Sequence, residues 1–458
     1  MGKNNFLLVF SLLIYIFFVS PFFFEWGQIV NVISLLIIIE ILWIGRVFPL
    51  AFTSLILIIL ISFHFVTYDE IISFVGTGVV WLLFSTFIIS NAFIKSGLAY
   101  RISLHMLKWS RGKGRLLILI SFFLMFVLSI FVPSNIGRGS LVSSLLDSII
   151  ANLKNVGNVK NLSKALFIGI SYIISLSGAI VATGASSTIY AFGMFLAASE
   201  KLNYIKWILL FAPPIFLFIL FLWVVLQLLY PLENVDRKEI INFINRKLLE
   251  LGTLKRSELK MIFIIGITVI LWMMEPYHGY SIPLIGLFGA ILTMMPYVGI
   301  WGWEEAKNII NWDMILFFAS TLMLSHVLLK TGTIDWFANR IVSLVSYKSS
   351  IFILIVMISI VALLRIIFVN ILGFMTIVIP LALIVGQHTM GISPIIMAMA
   401  VFMTGIPGFF LITQSPVHMI SFSYGYFTEK DLLRTGIIAV FIWLGIITAS
   451  VYYWKLII

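Results

Sequence analysis

Ser134-Asn135-Ile136-Gly137-Arg138-Gly139-Ser140 sets hydroxyl, amide, glycine and guanidinium groups between two apolar limbs, 116–133 and 140–152. Its asparagine has a counterpart 235 residues on, Asn370, in Val369-Asn370-Ile371-Leu372-Gly373. The same spacing of 235 relates Ser85-Thr86 to Ser320-Thr321, Ser90 to Ser325, Lys95 to Lys330 and Gly97 to Gly332. The chain therefore reads as two related halves, each with a polar break at a matching place in an apolar run. Solute sites near the bilayer midplane are built from such duplicated units.

The surroundings of the break confirm the solvent. Of 458 residues, 62% are hydrophobic and only 10% charged, and the mean hydropathy is +1.15. A soluble chain of this length carries far more charge. Apolar runs long enough to span a bilayer recur, among them 5–24, 47–66, 205–230 and 350–369. The expected fold is all-α and polytopic, in two inverted-topology repeats, each with a re-entrant hairpin and a broken transmembrane helix. The strongly apolar N-terminus lacks a small-residue cleavage site, so it reads as a first span or signal anchor. The net charge of +11 comes from basic residues spread over short loops, which fits positive-inside loops and not nucleic-acid binding. With no cysteine, disulfides, thiolate metal sites and cysteine nucleophiles are excluded.

The expected organisation is N-terminal scaffold helices over 1–70, a first repeat over 71–230, a linker over 231–260 and a second repeat over 261–458. The linker, with seven basic and five acidic residues, reads as a cytoplasmic amphipathic helix on the membrane surface. Charge also orients the hairpins. Arg101, Lys108, Arg111, Lys113 and Arg115 precede the first, and Lys154, Lys160 and Lys164 follow it. Both ends read as cytoplasmic, with the tip near 134–140 inside the membrane. The second, with its tip near 369–373, has only Arg340 and Lys348 before it and no lysine or arginine over 386–395. It reads as entering from the opposite face.

Each half has a second interruption. The first, near 183–188, is Ala182-Thr183-Gly184-Ala185-Ser186-Ser187-Thr188. The second, near 413–418, is Ile412-Thr413-Gln414-Ser415-Pro416-Val417-His418. Glycine, proline and hydroxyl residues there unwind a helix in mid-membrane. Half-helix N-termini then attract anions, while freed carbonyls and hydroxyls suit a small cation. A kink serving only helix packing is the plainer alternative.

This order of asparagine-tipped hairpin and broken helix, repeated twice, resembles the divalent-anion/sodium symporter family of the ion-transporter superfamily. Ser134-Asn135 matches that family's first Ser-Asn-Thr tip and Asn370 its second. Gln414-Ser415-Pro416-Val417-His418 looks like a divergent Gly-Thr-Pro-Pro-Asn. Trp312-Asp313 through Lys330-Thr331-Gly332 and Ser423-Tyr424-Gly425 through Leu433 are also similar, so the resemblance covers most of the chain from about 70 onward. It implies that each tip binds one carboxylate, that flanking carbonyls hold sodium, that a transport domain moves as an elevator and that the protein is a homodimer. Carried over, substrate contacts fall on Ser134, Asn135, Gly137, Arg138, Ser187, Thr188, Asn370, Gly373, Ser415, Pro416 and His418. A sodium ion, the one expected cofactor, falls near Ser134, Asn135, Gly184, Asn370 and Thr413. The tip threonines of the family are Ile136 and Ile371 here, the second-tip serine is Val369, and the broken-helix asparagines are Thr188 and His418.

Arg138 is the unusual residue, because a guanidinium at midplane depth faces a cavity or a partner. Three roles stay open: a clamp on an anionic substrate, a fixed cation where relatives bind sodium, or a structural pair with Asp147 or backbone carbonyls. Arg365, five residues before Asn370, is open between a second anion contact and a snorkelling or structural role. Glu40 and His326 read as satisfied by neighbouring helices. His418, inside a break, keeps proton coupling open.

No His-Glu-x-x-His, no Gly-x-Ser-x-Gly and no convergent acids occur in the spans, which argues against an intramembrane enzyme. The expectation is a multi-pass protein of the cell inner membrane that transports small anions, di- or tricarboxylates first, with its partners being that anion and the lipid bilayer. Sodium-independent exchange, proton coupling and a transporter-derived accessory role in cell-envelope metabolism are the alternatives.

Overall fold

The structure, a computed structural model, describes residues 2–21, 25–199, 202–345 and 349–458. Among these, all regular structure is helical. Residues 22–24 of the first apolar run, and Lys348, lie outside the described residues.

In chain order the helices are α1 Lys3–Ile14, extended by a π-helical turn over Tyr15–Val19, α2 Gln28–Gly45, α3 Leu50–His64, α4 Tyr68–Ile72, α5 Gly78–Ser96 and α6 Leu98–Lys108. α7 Gly114–Phe131 and α8 Asn135–Lys154 flank the first tip, and α9 Lys160–Ser177 and α10 Ser186–Ala198 flank the first gap. Then come α11 Tyr204–Leu229, α12 Arg237–Leu251, α13 Arg256–Met273, α14 Glu275–His278, α15 Ile282–Met294 and α16 Trp303–Ala306. The second half holds α17 Trp312–Lys330, α18 Thr333–Val345, α19 Ser350–Leu364, α20 Ile371–Gln387, α21 Pro394–Gly405, α22 Pro416–Ser423 and α23 Glu429–Ile457. Among the described residues six helical stretches are long and apolar enough to cross a bilayer: 28–45, 68–96, 114–131, 204–229, 312–330 and 429–457.

The segment 231–260 folds as sequence pattern dictates. Asp236 caps α12 by accepting from the Lys238 amide at 2.8 Å. Ile240, Phe243 and Ile244 are the buried residues of α12, an i, i+3, i+4 stripe that lets one face dock while the charged face stays wet. Beyond it, Arg101 on α6 donates to the Glu258 carboxylate at 2.7 and 3.0 Å. It also donates to the carbonyls of Gly252 and Thr253.

Contacts divide the chain into two compact units that interleave along the sequence. One comprises 1–81, 311–361 and 370–402; the other comprises 82–310, 362–369 and 403–458. Within the first, α17 packs on α3, α18 and α20, and Trp43 meets Phe317 edge-on at 4.8 Å. Glu70 accepts from His326 and Lys330 at 2.8 and 2.7 Å.

Within the second unit, α9 is the axis. It packs against α7, α8, α11 and α22, and nearly every residue from Leu162 to Ser177 is buried. Tryptophans tie the surrounding helices by their indole N–H groups: Trp207 to the Ala179 carbonyl, Trp443 to Met403 and Trp454 to Leu210. Each of these rings removes a large apolar area from solvent while its N–H finds a partner.

Candidate anion site and its two carbonyl cradles

The first tip is tighter than the sequence suggests. Only residues 132–134 leave the helical path, and α8 begins at Asn135. Ser134 is its N-cap, accepting from the Gly137 amide at 3.0 Å, which satisfies one of the donors that every helix start leaves open. Ser134, Asn135 and Gly137 are half-buried, and Ile136, where the family has threonine, is 50% exposed. At the second tip the chain is irregular over 365–370. Asn370 caps α20, its Oδ1 accepting from the amides of Leu372 and Gly373 at 2.9 and 3.4 Å.

The first broken helix stops at Ser177 and resumes at Ser186. Gly184 lies in the gap because a Cβ there would sit 2.5 Å from the Gly178 carbonyl oxygen. Thr188 donates to that same oxygen at 2.8 Å, and Ser187 is buried. The second gap runs from 406 to 415, opening seven residues before the Thr413–His418 stretch that reads as the break. The Ile406-Pro407-Gly408 sequence explains the early stop, because proline restricts the residue before it and supplies no N–H. Gln414 organises the gap. Its Oε1 accepts from the amides of Phe410 and Leu411, and its Nε2 donates to the Arg365 carbonyl. Thr413 is exposed. His418 is fully buried, edge-on to Tyr172 at 5.9 Å, with Nδ1 3.2 Å from the Leu411 carbonyl.

Both arginines of the apolar runs end in these gaps. Arg138 is 1% exposed. Its Nη1 donates to the carbonyls of Val132 and Gly184, and its Nη2 to Asn135 Oδ1 at 2.6 Å and the Ile174 carbonyl at 3.3 Å. The Asp147 pairing does not occur; that carboxylate accepts from Tyr426 at 2.6 Å. Arg365, also 1% exposed, donates to the carbonyls of Gly405 at 2.9 Å, Phe368, and Gln414 at 3.0 Å. Every one of these acceptors is neutral, and among the described residues neither arginine makes an ion pair. The oxygens solvate each guanidinium without cancelling its charge, so each gap holds a buried positive charge.

A sodium ion would compete with these groups for their oxygens. Gly184 spends its carbonyl, and Asn135 its Oδ1, on Arg138; Ser134 and Asn370 spend theirs on helix caps. A sodium ion sharing the carbonyls would lie about 4 Å from the guanidinium, and two unit charges so placed repel by about 4 kcal/mol at an effective dielectric constant of about 20.

Apolar spans interrupted by capped tips and gaps define a class, the multi-pass α-helical membrane protein. Sequence comparison gives the family. Residues 4–458 match the model of the sodium:sulfate symporter transmembrane region, and the chain belongs to that family. It is 26% identical over 286 residues to a Bacillus subtilis protein named "Putative malate transporter", covering 61% of this chain and 59% of that one. It is 24% identical over 396 residues to the L-tartrate/succinate antiporter of Escherichia coli K12, covering 83% and 79%. An uncharacterized transporter of Haemophilus influenzae is 23% identical over 388 residues, covering 83% and 80%.

Proposed function

We propose that this protein is a secondary active transporter of small dianions, dicarboxylates first among them. The observation that carries this reading is the pair of buried guanidiniums, Arg138 and Arg365, whose partners are all neutral oxygens. A buried charge without a counter-ion is costly, and a bound anion relieves that cost. The malate and tartrate/succinate names of the relatives support a four-carbon diacid. In this reading Ser134, Asn135 and Gly137 at the first tip, and Asn370 and Gly373 at the second, contact carboxylates, with Ser187, Thr188, Ser415, Pro416 and His418 shaping the gaps. Two repeats of opposite topology, 71–230 and 261–458, give alternating access by an elevator-type movement in a homodimer. Exchange of one anion for another is favoured over proton symport, because His418 lies buried against Tyr172.

Thermal unfolding of the detergent-solubilised protein tests the reading. Succinate, malate, 2-oxoglutarate, citrate, sulfate and phosphate are compared, since a ligand that binds only the folded state raises the transition temperature. A shift with a dicarboxylate is expected; no shift with any of the six would refute it.

A further inference from the structure

We propose that this chain carries its own cation in each half: the guanidiniums of Arg138 and Arg365 fill the carbonyl cradles that a sodium symporter would load with metal, so that anion binding here is independent of sodium. The inference rests on the anion-transport reading above and adds the nature of the counter-charge.

The two cradles are built alike. Each offers one carbonyl beside the hairpin tip, Val132 or Phe368. Each offers one from the end of the helix before the gap, Ile174 in the last turn of α9 or Gly405 closing α21. Each offers one from inside the gap, Gly184 or Gln414. These are the freed main-chain oxygens that broken membrane helices present to small cations. In both halves the cation they meet is covalently attached.

The arginines reach these cradles from different places. Arg138 comes from α8, after the tip, and Arg365 comes from the turn before the second tip. At the repeat spacing of 235, Arg138 corresponds to Gly373 and Arg365 to Ile130. Duplication of one ancestral arginine would have left both at matching positions. Two halves that differ in where the arginine is attached, yet agree in which oxygens it meets, point to a requirement for positive charge at the cradle itself.

The chemical consequence concerns loading. A metal ion enters from water and leaves with the substrate, so its occupancy follows its concentration and its gradient does work. A tethered guanidinium does neither. The empty protein keeps both charges, and an incoming anion replaces the outgoing one, which is the condition for exchange.

The test uses the purified full-length protein. Binding of radioactive sodium is measured directly, and unfolding with and without succinate is followed in sodium chloride and in choline chloride. For the wild type we expect no saturable sodium binding and the same succinate shift in both salts. Saturable sodium binding, or a shift confined to sodium, overturns the proposal. Arg138→Ala, folded as judged by gel filtration, is expected to lose the succinate shift in choline and to recover part of it in sodium. An unchanged shift in choline, or loss in both salts, overturns the proposal too. Arg138→Lys keeps a cation and is expected to keep the shift in choline. If neither variant folds, succinate counterflow into proteoliposomes still decides: equal rates in the two salts are expected, and a tenfold requirement for sodium, equivalent to 1.4 kcal/mol, overturns the proposal. Absence of counterflow in both salts would instead strike the transport reading, with the sodium-binding result still deciding the cation.

Discussion

Gly178→Ala probes the first cradle without replacing a charged or hydrogen-bonding side chain. Gly178 closes α9 with right-handed helical angles, φ −67° and ψ −18°, so alanine suits its backbone. The obstacle is space. A Cβ there would sit 2.9 Å from Asn135 Oδ1, 2.9 Å from the Ala185 Cβ and 3.0 Å from Arg138 Nη2. Each contact must open by about half an ångström to reach ordinary packing distance. Overpacking of this kind costs about 1–3 kcal/mol, and the stiffer unfolded chain returns about 0.4–1 kcal/mol. The expected net loss is about 1–2 kcal/mol in stability. The effect on anion binding is larger, because the displaced atoms are the two partners of the 2.6 Å hydrogen bond at the tip. A shift of about half an ångström in positioned groups lowers dicarboxylate affinity about tenfold. Thermal unfolding and titration with succinate measure the two quantities. Gly266→Ala is the control. It lies in α13 with nothing within 4 Å of its added Cβ, and it is expected to be neutral or to stabilise by up to about 1 kcal/mol. A Gly178→Ala protein with wild-type affinity would refute the reasoning that the tip is held by this contact.

Arg101→Ala should destabilise by about 3–5 kcal/mol, because it strands Glu258, which is 1% exposed, without its counter-charge; the pair replaced together by Met and Leu should recover most of that loss in chemical unfolding. Burial pushes the Glu258 carboxyl up, but hydrogen bonds from Arg101 and the Lys255 amide outweigh it and hold it below 4.5. A carboxyl lowered in the folded state stabilises fully above its unfolded value and gives this up as pH falls through the lowered one. The transition temperature should therefore drop below about pH 4.5, and more steeply than in Glu258→Gln.

The parts of this molecule legible in the sequence are those written in side chains. The apolar runs marked the helices. The charge of the 231–260 linker marked a surface helix, and α12 lies within it. Glycine and hydroxyl residues marked the first gap, and Ser134 and Asn370 marked the two tips. The cradles were not legible, because their ligands are main-chain oxygens of Val132, Ile174, Gly184, Phe368, Gly405 and Gln414. A carbonyl has no signature in sequence, and Gly405 and Gln414 lie 40 and 49 residues from Arg365. One signal was present: each half sets a lone arginine in an apolar run next to its tip asparagine. The early start of the second gap was likewise carried by Pro407 and Gly408, which precede the Thr413–His418 stretch that reads as the break.

The Arg138 cradle has a consequence for how such a protein meets its surroundings. A group attached by its own side chain sits beside its ligands at an effective concentration that no change of medium can dilute. On the proposal above, the cation that accompanies the anion is then fixed when the chain is synthesised and does not follow the sodium content of the medium.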